Sequence, residues 1–290
     1  MKTFTIIGTG LIGGSVARDI RKTGTDAHLI GVEQNADHAA RALELQLVDA
    51  VLPLSEAVAQ ADVVLLAIPV TAIQQLLPQL LDLVPPQAVV IDFGSTKSLL
   101  CEAVKDHPKR AQFVAAHPIA GTENSGPEAA LEGLYQGKMN IICEKEKSSE
   151  FALEVALELF DLLGLKTVFM QAEEHDKHVA YISHLSHVSS FLLGLTVLDV
   201  EKDEKNIFML AGSGFASTVR LAKSSPDMWA PIFEQNAFFL SHALEEYIKH
   251  LQKFQECLQQ KDTAQLYEMM RQANQIRPVL DGITQGASAK

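Results

Sequence analysis

The most constraining stretch lies at the start of the chain. The apolar run Thr3-Phe-Thr-Ile-Ile leads into Gly8-Thr9-Gly10-Leu11-Ile12-Gly13, and a helix-periodic pattern (Leu11, Val16, Ile20) follows. A G-x-G-x-x-G spacing between a strand and a helix has a physical purpose. Gly8 permits the tight turn, Gly10 lets the backbone approach a pyrophosphate, and Gly13 lets the helix pack close to the strand with its unpaired N–H groups facing the phosphates. A second apolar run, Ala27–Val32, comes next, and Glu33 ends it 20 residues after Gly13. A carboxylate there accepts from the adenine ribose 2′-hydroxyl and repels a 2′-phosphate. The expectation is a dinucleotide site that takes NAD rather than NADP. Thr9, Leu11 and Ile12 fall between the glycines, and Pro69 and Ser95 are expected on the same cofactor.

Strand-like and helix-like segments alternate through the first half. Strands are predicted at 3–8, 27–33, 62–68, 88–92, 112–116 and 139–143, and helices at 11–23, 35–46, 54–60, 71–82 and 97–106. Such alternation implies a parallel sheet covered on both faces. A charged link at 144–150, a helix at about 150–163 and a short strand at 167–170 follow, and helical periodicity dominates from Gln171 onward. The predicted fold is a Rossmann-type α/β dinucleotide-binding domain over 1–170, then an all-α domain over 171–285 and a disordered tail at 286–290. A chain of 290 residues can bury two such cores.

A net charge of −12 argues against nucleic acid and anionic membranes as partners. It also means that an anionic substrate must be held by a few local cations. Three scattered cysteines without a C-x-x-C suggest free thiols in a reducing cytoplasm and no metal site. The longest apolar run, Val63–Val70, is too short to span a bilayer, and no cleavable apolar leader opens the chain. Late in the chain, Leu240, Leu244, Tyr247, Leu251, Phe254 and Leu258 follow a heptad seam that either packs within its own domain or forms a subunit interface.

The run His117-Pro-Ile-Ala-Gly-Thr122-Glu123-Asn-Ser-Gly126 places a histidine directly after the strand-like segment Phe113–Ala116. The carboxyl ends of strands are where open α/β sheets bind ligands. An imidazole titrating near neutrality can take a proton from an alcohol there. Residues 173–198 read as one long helix, apolar over most of its circumference. On a 100° wheel Asp176, Ser183, His187, Ser190 and Gly194 form a narrow polar stripe, better read as a ligand-facing wall than as a solvated face. On the same wheel His175 and His178 project opposite His184 and His187, which speaks against a metal. Ser95 and Lys97 sit at the end of the fifth strand in Asp92-Phe-Gly-Ser-Thr-Lys97, where Ser95 either caps a helix or meets a ligand. Arg220 either pairs with Asp227 or offers its planar fork to a carboxylate.

Taken together, these residues resemble the prephenate/arogenate dehydrogenase family of tyrosine biosynthesis. The resemblance rests on Gly8–Gly13, Gly94-Ser-Thr-Lys97, His117–Gly126, His175-Asp176 with His184-Leu-Ser-His187, and Arg220…Asp227-Met-Trp229, in family order. It implies NAD-dependent oxidative decarboxylation of a cyclohexadienol, prephenate or arogenate, by a cytoplasmic homodimer joined through its helical domain. His117 would take the proton of the ring hydroxyl and Ser95 would hydrogen-bond the same hydroxyl. Arg220 would pair with a substrate carboxylate, while His187 and Ser183 line the side-chain end of the pocket. Thr122 and Glu123 would close over the site and Trp229 would wall it. Prephenate is preferred because no carboxylate is assignable to an ammonium, Glu123 and Asp176 being the groups that would reverse this. Ser186 stands where many relatives carry proline, so the local helix geometry is expected to differ.

Overall fold

In the computed structural model, which describes residues 2–203 and 206–288, eight strands form one sheet. They are β1 (Lys2–Ile7), β2 (Ala27–Val32), a two-residue β3 (Ala50–Val51), β4 (Val63–Leu66), β5 (Val89–Asp92), β6 (Phe113–Pro118), β7 (Met139–Cys143) and β8 (Lys166–Met170). The order β3-β2-β1-β4-β5-β6-β7-β8 reverses its direction of growth between β1 and β4. That switch point opens the crevice in which such sheets hold ligands.

The parallel expectation holds for β1 to β6 and for the β7–β8 pair. It fails between β6 and β7, which run antiparallel with His117 opposite Ile141. A parallel return needs a long crossover, usually helical. The link after β6 contains only the 3₁₀ turn Pro127–Ala129, so the chain folds straight back. β3 was also absent from the sequence reading, being too short to show a period.

Six helices cover the sheet: α1 (Leu11–Lys22), α2 (Ala36–Glu44), α3 (Leu54–Ala59), α4 (Val70–Leu83), α5 (Ser98–Ala103) and α6 (Glu150–Leu162). Strand alternation divides the core in two. Ile6, Leu29, Leu65 and Ile91 pack with Val16, Ile20 and Phe160 on one face. Ile7, Val64, Leu66 and Val90 pack with Ile73, Leu77 and Leu80 on the other. All four residues of β4 are buried, as a strand covered on both faces requires.

The helix expected over 173–198 is α7 (Ala172–Val179), a π turn (Ala180–His184) and α8 (Leu185–Asp203). A π turn carries more residues per revolution than an α turn, so it rotates everything after it relative to an ideal wheel. This overturns the wheel argument at its middle, with consequences at the site. α9 (Ser213–Val219), α10 (Pro226–Gln235), α11 (Ala237–Gln260), α12 (Thr263–Ala273) and α13 (Arg277–Ser288) complete the chain. α7 packs on α5 and α10 on α4. Compactness therefore divides the chain at Leu240/Ser241, later than the change of composition near 171. α13 continues through 286–288, inside the stretch expected as a tail, and residues 289–290 lie outside the described residues.

Candidate active site

The nucleotide turn has the geometry that its glycines imply. Gly8 has φ +91°, and a Cβ there would lie 2.6 Å from the Ala67 carbonyl oxygen. A Cβ on Gly13 would lie 2.1 Å from the Gly8 carbonyl oxygen, so neither position admits another residue without a shift. The first turn of α1 has no side-chain cap and no acidic residue, which leaves its N–H groups for a phosphate. The Glu33 carboxylate stands over the turn, accepting from the Thr9 N–H and hydroxyl at 3.3 Å each and from the Asn35 N–H at 3.1 Å. Leu11 is buried in the turn, the Ile12 carbonyl accepts from the Tyr135 hydroxyl at 2.7 Å, and Pro69 starts α4 at the end of β4. The cradle suits a dinucleotide. Gly126 closes the far end of the His117 loop over it, its backbone 3.8 Å from where a Gly10 Cβ would stand.

His117 lies at the carboxyl end of β6, 9% exposed. Its place is fixed by a buried clamp on the preceding residue. The Asp92 carboxylate accepts the Ala116 N–H at 3.0 Å, and the Lys97 ammonium donates to the Ala116 carbonyl at 2.8 Å while pairing with Asp92. Burial, followed by the neighbouring His175, Lys97 and His184, holds the His117 imidazole well below the ordinary histidine value. The expectation of titration near neutrality is therefore corrected: a ring this buried stays an unprotonated base at neutral pH. Ser95 is half-buried in the adjoining turn and makes no hydrogen bond among the described residues. It does not cap α5; Asp176 does so, accepting from the Lys97 and Ser98 N–H groups at 2.8 Å each.

The sequence reading missed the partner of the base. His117 Nδ1 lies 2.8 Å from His175 Nε2, and His175 Nδ1 lies 2.8 Å from Asp176 Oδ1. Asp176 is thus not part of a stripe with Ser183 and His187, and His175 does not point away from His184. Both histidines are fully buried, and each acts electrostatically on His117. Asn236 ties Asp176 to His184, donating to the Asp176 carbonyl at 2.8 Å and lying 3.0 Å from His184 Nδ1. Burial lowers His184 to about 4. Its Nε2 has no partner among the described residues. The His175-Asp176 dipeptide was visible in the sequence, but only the π turn reveals how it shares a wall with His184.

His187 stacks on Trp229, ring centroids 3.4 Å apart and planes 23° apart, and His184 meets the same indole edge-on. His187 Nδ1 donates to the Ser183 carbonyl, one helical turn back, at 3.0 Å. Arg220 pairs with Glu123, Nη1 to Oε2 3.4 Å, rather than with Asp227. Beside Glu123, the Thr122 hydroxyl accepts from the Asn124 N–H at 3.2 Å. Ser190 and Gly194 do not line a ligand wall. Ser190 bonds the Thr218 carbonyl and the Ala222 N–H, and Gly194 faces Ala222, which seats the Arg220 turn on α8.

A nucleotide cradle at the switch point and a buried, unprotonated histidine at an adjacent strand end define a dinucleotide-dependent dehydrogenase. Comparison with known proteins gives the family. The profile described as "Prephenate dehydrogenase, nucleotide-binding domain" matches residues 16–169, and that described as "Prephenate dehydrogenase, dimerization domain" matches 171–272. The chain belongs to the prephenate dehydrogenase family, whose enzymes are NAD-dependent oxidoreductases. It is 30% identical to the prephenate dehydrogenase of Bacillus subtilis, over 98% of this chain and 78% of that protein. It is also 30% identical to the cyclohexadienyl dehydrogenase of Zymomonas mobilis, over 96% of each chain. The crystal structure of prephenate dehydrogenase from A. aeolicus with hydroxyphenyl propionate and NAD+ superposes with a TM-score of 0.89 at 29% identity, covering 97% of this chain and 98% of that one.

Proposed function

We propose that the protein catalyses the NAD+-dependent oxidative decarboxylation of prephenate to 4-hydroxyphenylpyruvate in tyrosine biosynthesis. The observation that carries this reading is the buried His117, unprotonated and with one ring nitrogen left uncommitted, beside the cradle at Gly8–Gly13. NAD+ supplies the hydride acceptor. His117 takes the proton of the ring C4 hydroxyl as hydride leaves C4, with Ser95 donating to the same oxygen. The bond from C1 to its carboxylate then breaks, and its electron pair aromatises the ring and arrives on the C4 oxygen. His117 returns its proton to that oxygen, so the histidine ends as it began. No proton need pass to solvent, which suits a base this buried.

Arg220 pairs with a substrate carboxylate; His187, Ser183, Thr122, Glu123 and Trp229 surround the rest. Prephenate is favoured over arogenate because Asp176, one of the two candidate partners for an ammonium, already holds two backbone N–H groups and His175. Glu123, which the substrate carboxylate releases from Arg220, is the group that would reverse the preference. We read residues 1–170 as the cofactor domain and 171–285 as the substrate and dimerisation domain. Leu192, Leu195 and Leu198 on α8 are each at least half exposed, and on α11 Leu251 and Leu258 likewise. Among the described residues, 172–202 is the one stretch long and apolar enough to cross a membrane. In a chain that carries a dimerization domain, a second copy is the better cover for these faces. The three free, buried thiols fit a cytoplasmic enzyme.

Following NADH absorbance with prephenate, arogenate and a panel of 3-hydroxyacids tests the reading. Prephenate should be the best substrate. Turnover of 3-hydroxyacids alone would replace it with a hydroxyacid dehydrogenase, and turnover of nothing would leave a nucleotide-binding protein.

A further inference from the structure

The hydrogen-bond chain behind His117 fixes where its protons can sit. Asp176 is buried and already accepts two backbone N–H groups. Burial opposes its ionisation, but the hydrogen bonds from His175 and from Ser98 outweigh this and keep the carboxyl below the ordinary range. An ionised carboxylate only accepts, so His175 Nδ1 must carry hydrogen. His175 is neutral, because burial lowers it in spite of Asp176. Its Nε2 is then a bare lone pair, and the 2.8 Å contact with His117 Nδ1 is a bond only if His117 Nδ1 carries hydrogen. What remains to a neutral His117 is a lone pair on Nε2.

We propose that Asp176 and His175 are positioning residues that lock the base in this tautomer and share its positive charge while it holds the substrate's proton. The inference rests on His117 being the base. It adds that a carboxylate two residues removed through the bond chain decides whether that base exists. The wild-type fold provides the corresponding rigidity: Asp176 is held by the start of α5 and, through its carbonyl, by Asn236.

The test uses two variants with different consequences, beside His117→Asn as the control on the base itself. Asp176→Asn presents an amide that can donate to His175 Nδ1, which reverses the chain and puts hydrogen on His117 Nε2. His175→Gln offers His117 Nδ1 a carbonyl acceptor, which keeps the tautomer but cuts the path to the carboxylate. With prephenate and NAD+, Asp176→Asn should lose about 10²- to 10⁴-fold in kcat, the range for loss of a general base, with KM nearly unchanged. His175→Gln should lose less. Imidazole ¹⁵N spectra of the wild type should show His117 protonated at Nδ1, and of Asp176→Asn at Nε2. A wild-type His117 protonated at Nε2 overturns the inference, whether or not Asp176→Asn folds. So do wild-type rates in both variants when His117→Asn is inactive. An active His117→Asn instead removes the base reading on which the inference stands.

Discussion

The Lys97 ammonium donates to the Ala116 carbonyl at 2.8 Å, one residue before His117. Lys97 and Asp92 are both fully buried and paired, so together they grip the backbone of β6 at the point where the base leaves it. Removing one member of a buried pair leaves the other charge without compensation. Lys97→Met should therefore lower unfolding stability by about 3–5 kcal/mol. Asp92→Asn combined with Lys97→Met should recover part of this, measured by urea unfolding. A single variant as stable as the wild type would show that the pair is dispensable.

Arg220 and Glu123 make a half-exposed pair, and such pairs are worth about 0.2–1 kcal/mol. A substrate carboxylate must displace Glu123 from Arg220. Glu123→Gln is expected to lower KM for prephenate about 1.5- to 5-fold, the same energy expressed as a ratio. Arg220→Ala should raise KM by the loss of a charge-assisted bond, roughly 1.5–3 kcal/mol, with the smaller effect on kcat. Steady-state kinetics in prephenate decides both, and an unchanged KM in Arg220→Ala would remove this residue from the substrate.

His117→Asn removes the base, and kcat should fall about 10²- to 10⁴-fold while substrate affinity holds. In the wild type, kcat/KM should lose activity on the acid side only below the ordinary histidine value, because burial and the neighbouring His175, Lys97 and His184 push His117 down. That limb should be missing from the variant. A wild-type limb at or above about 6.5 would contradict a buried, neutral base.

Four histidines of the site, His117, His175, His184 and His187, lie below their ordinary value, with burial as the first cause of each shift. The unfolded chain binds protons on them more readily than the folded one, so stability is complete above about 6.5 and declines as pH falls. The decline continues toward about 4, where His184 titrates in the fold. Urea unfolding between pH 7 and 5 should show a steeper slope for the wild type than for His184→Gln. Equal slopes would mean that His184 is not buried in its neutral form.

Glu33 faces the turn through Thr9. Glu33→Ser should improve kcat/KM for NADP+ by about tenfold or more, since a like charge opposite the 2′-phosphate is lost. A wild type that prefers NADP+ would show the carboxylate to point away from the ribose.

The strand–turn–helix at Gly8–Gly13, the second strand ending in Glu33 and the histidine closing β6 were all legible, because each is a local pattern with a local cause. The antiparallel β7 was not, since strand direction depends on what the link does in space. His175 escaped for a related reason. A helical wheel assumes one period throughout, and five residues at Ala180–His184 break it. Asn236 lies 60 residues beyond the Asp176 whose carbonyl it holds, and nothing in its own surroundings marks that role. Ser190 and Gly194 look like ligand-facing residues because a helix that packs closely on another segment uses the same small side chains.

The loop that begins at His117 ends with Gly126 against Gly10. One short piece of chain thus joins the base, the carboxylate that holds Arg220 and the floor of the pyrophosphate site. A dinucleotide at Gly10 would lie beside Gly126, and Glu123 is three residues away on the same backbone. Whatever factor the cofactor imposes on substrate affinity through this loop, the substrate must impose equally on the cofactor, because a thermodynamic cycle permits no other result. Any such factor other than one would make the two ligands one another's effectors.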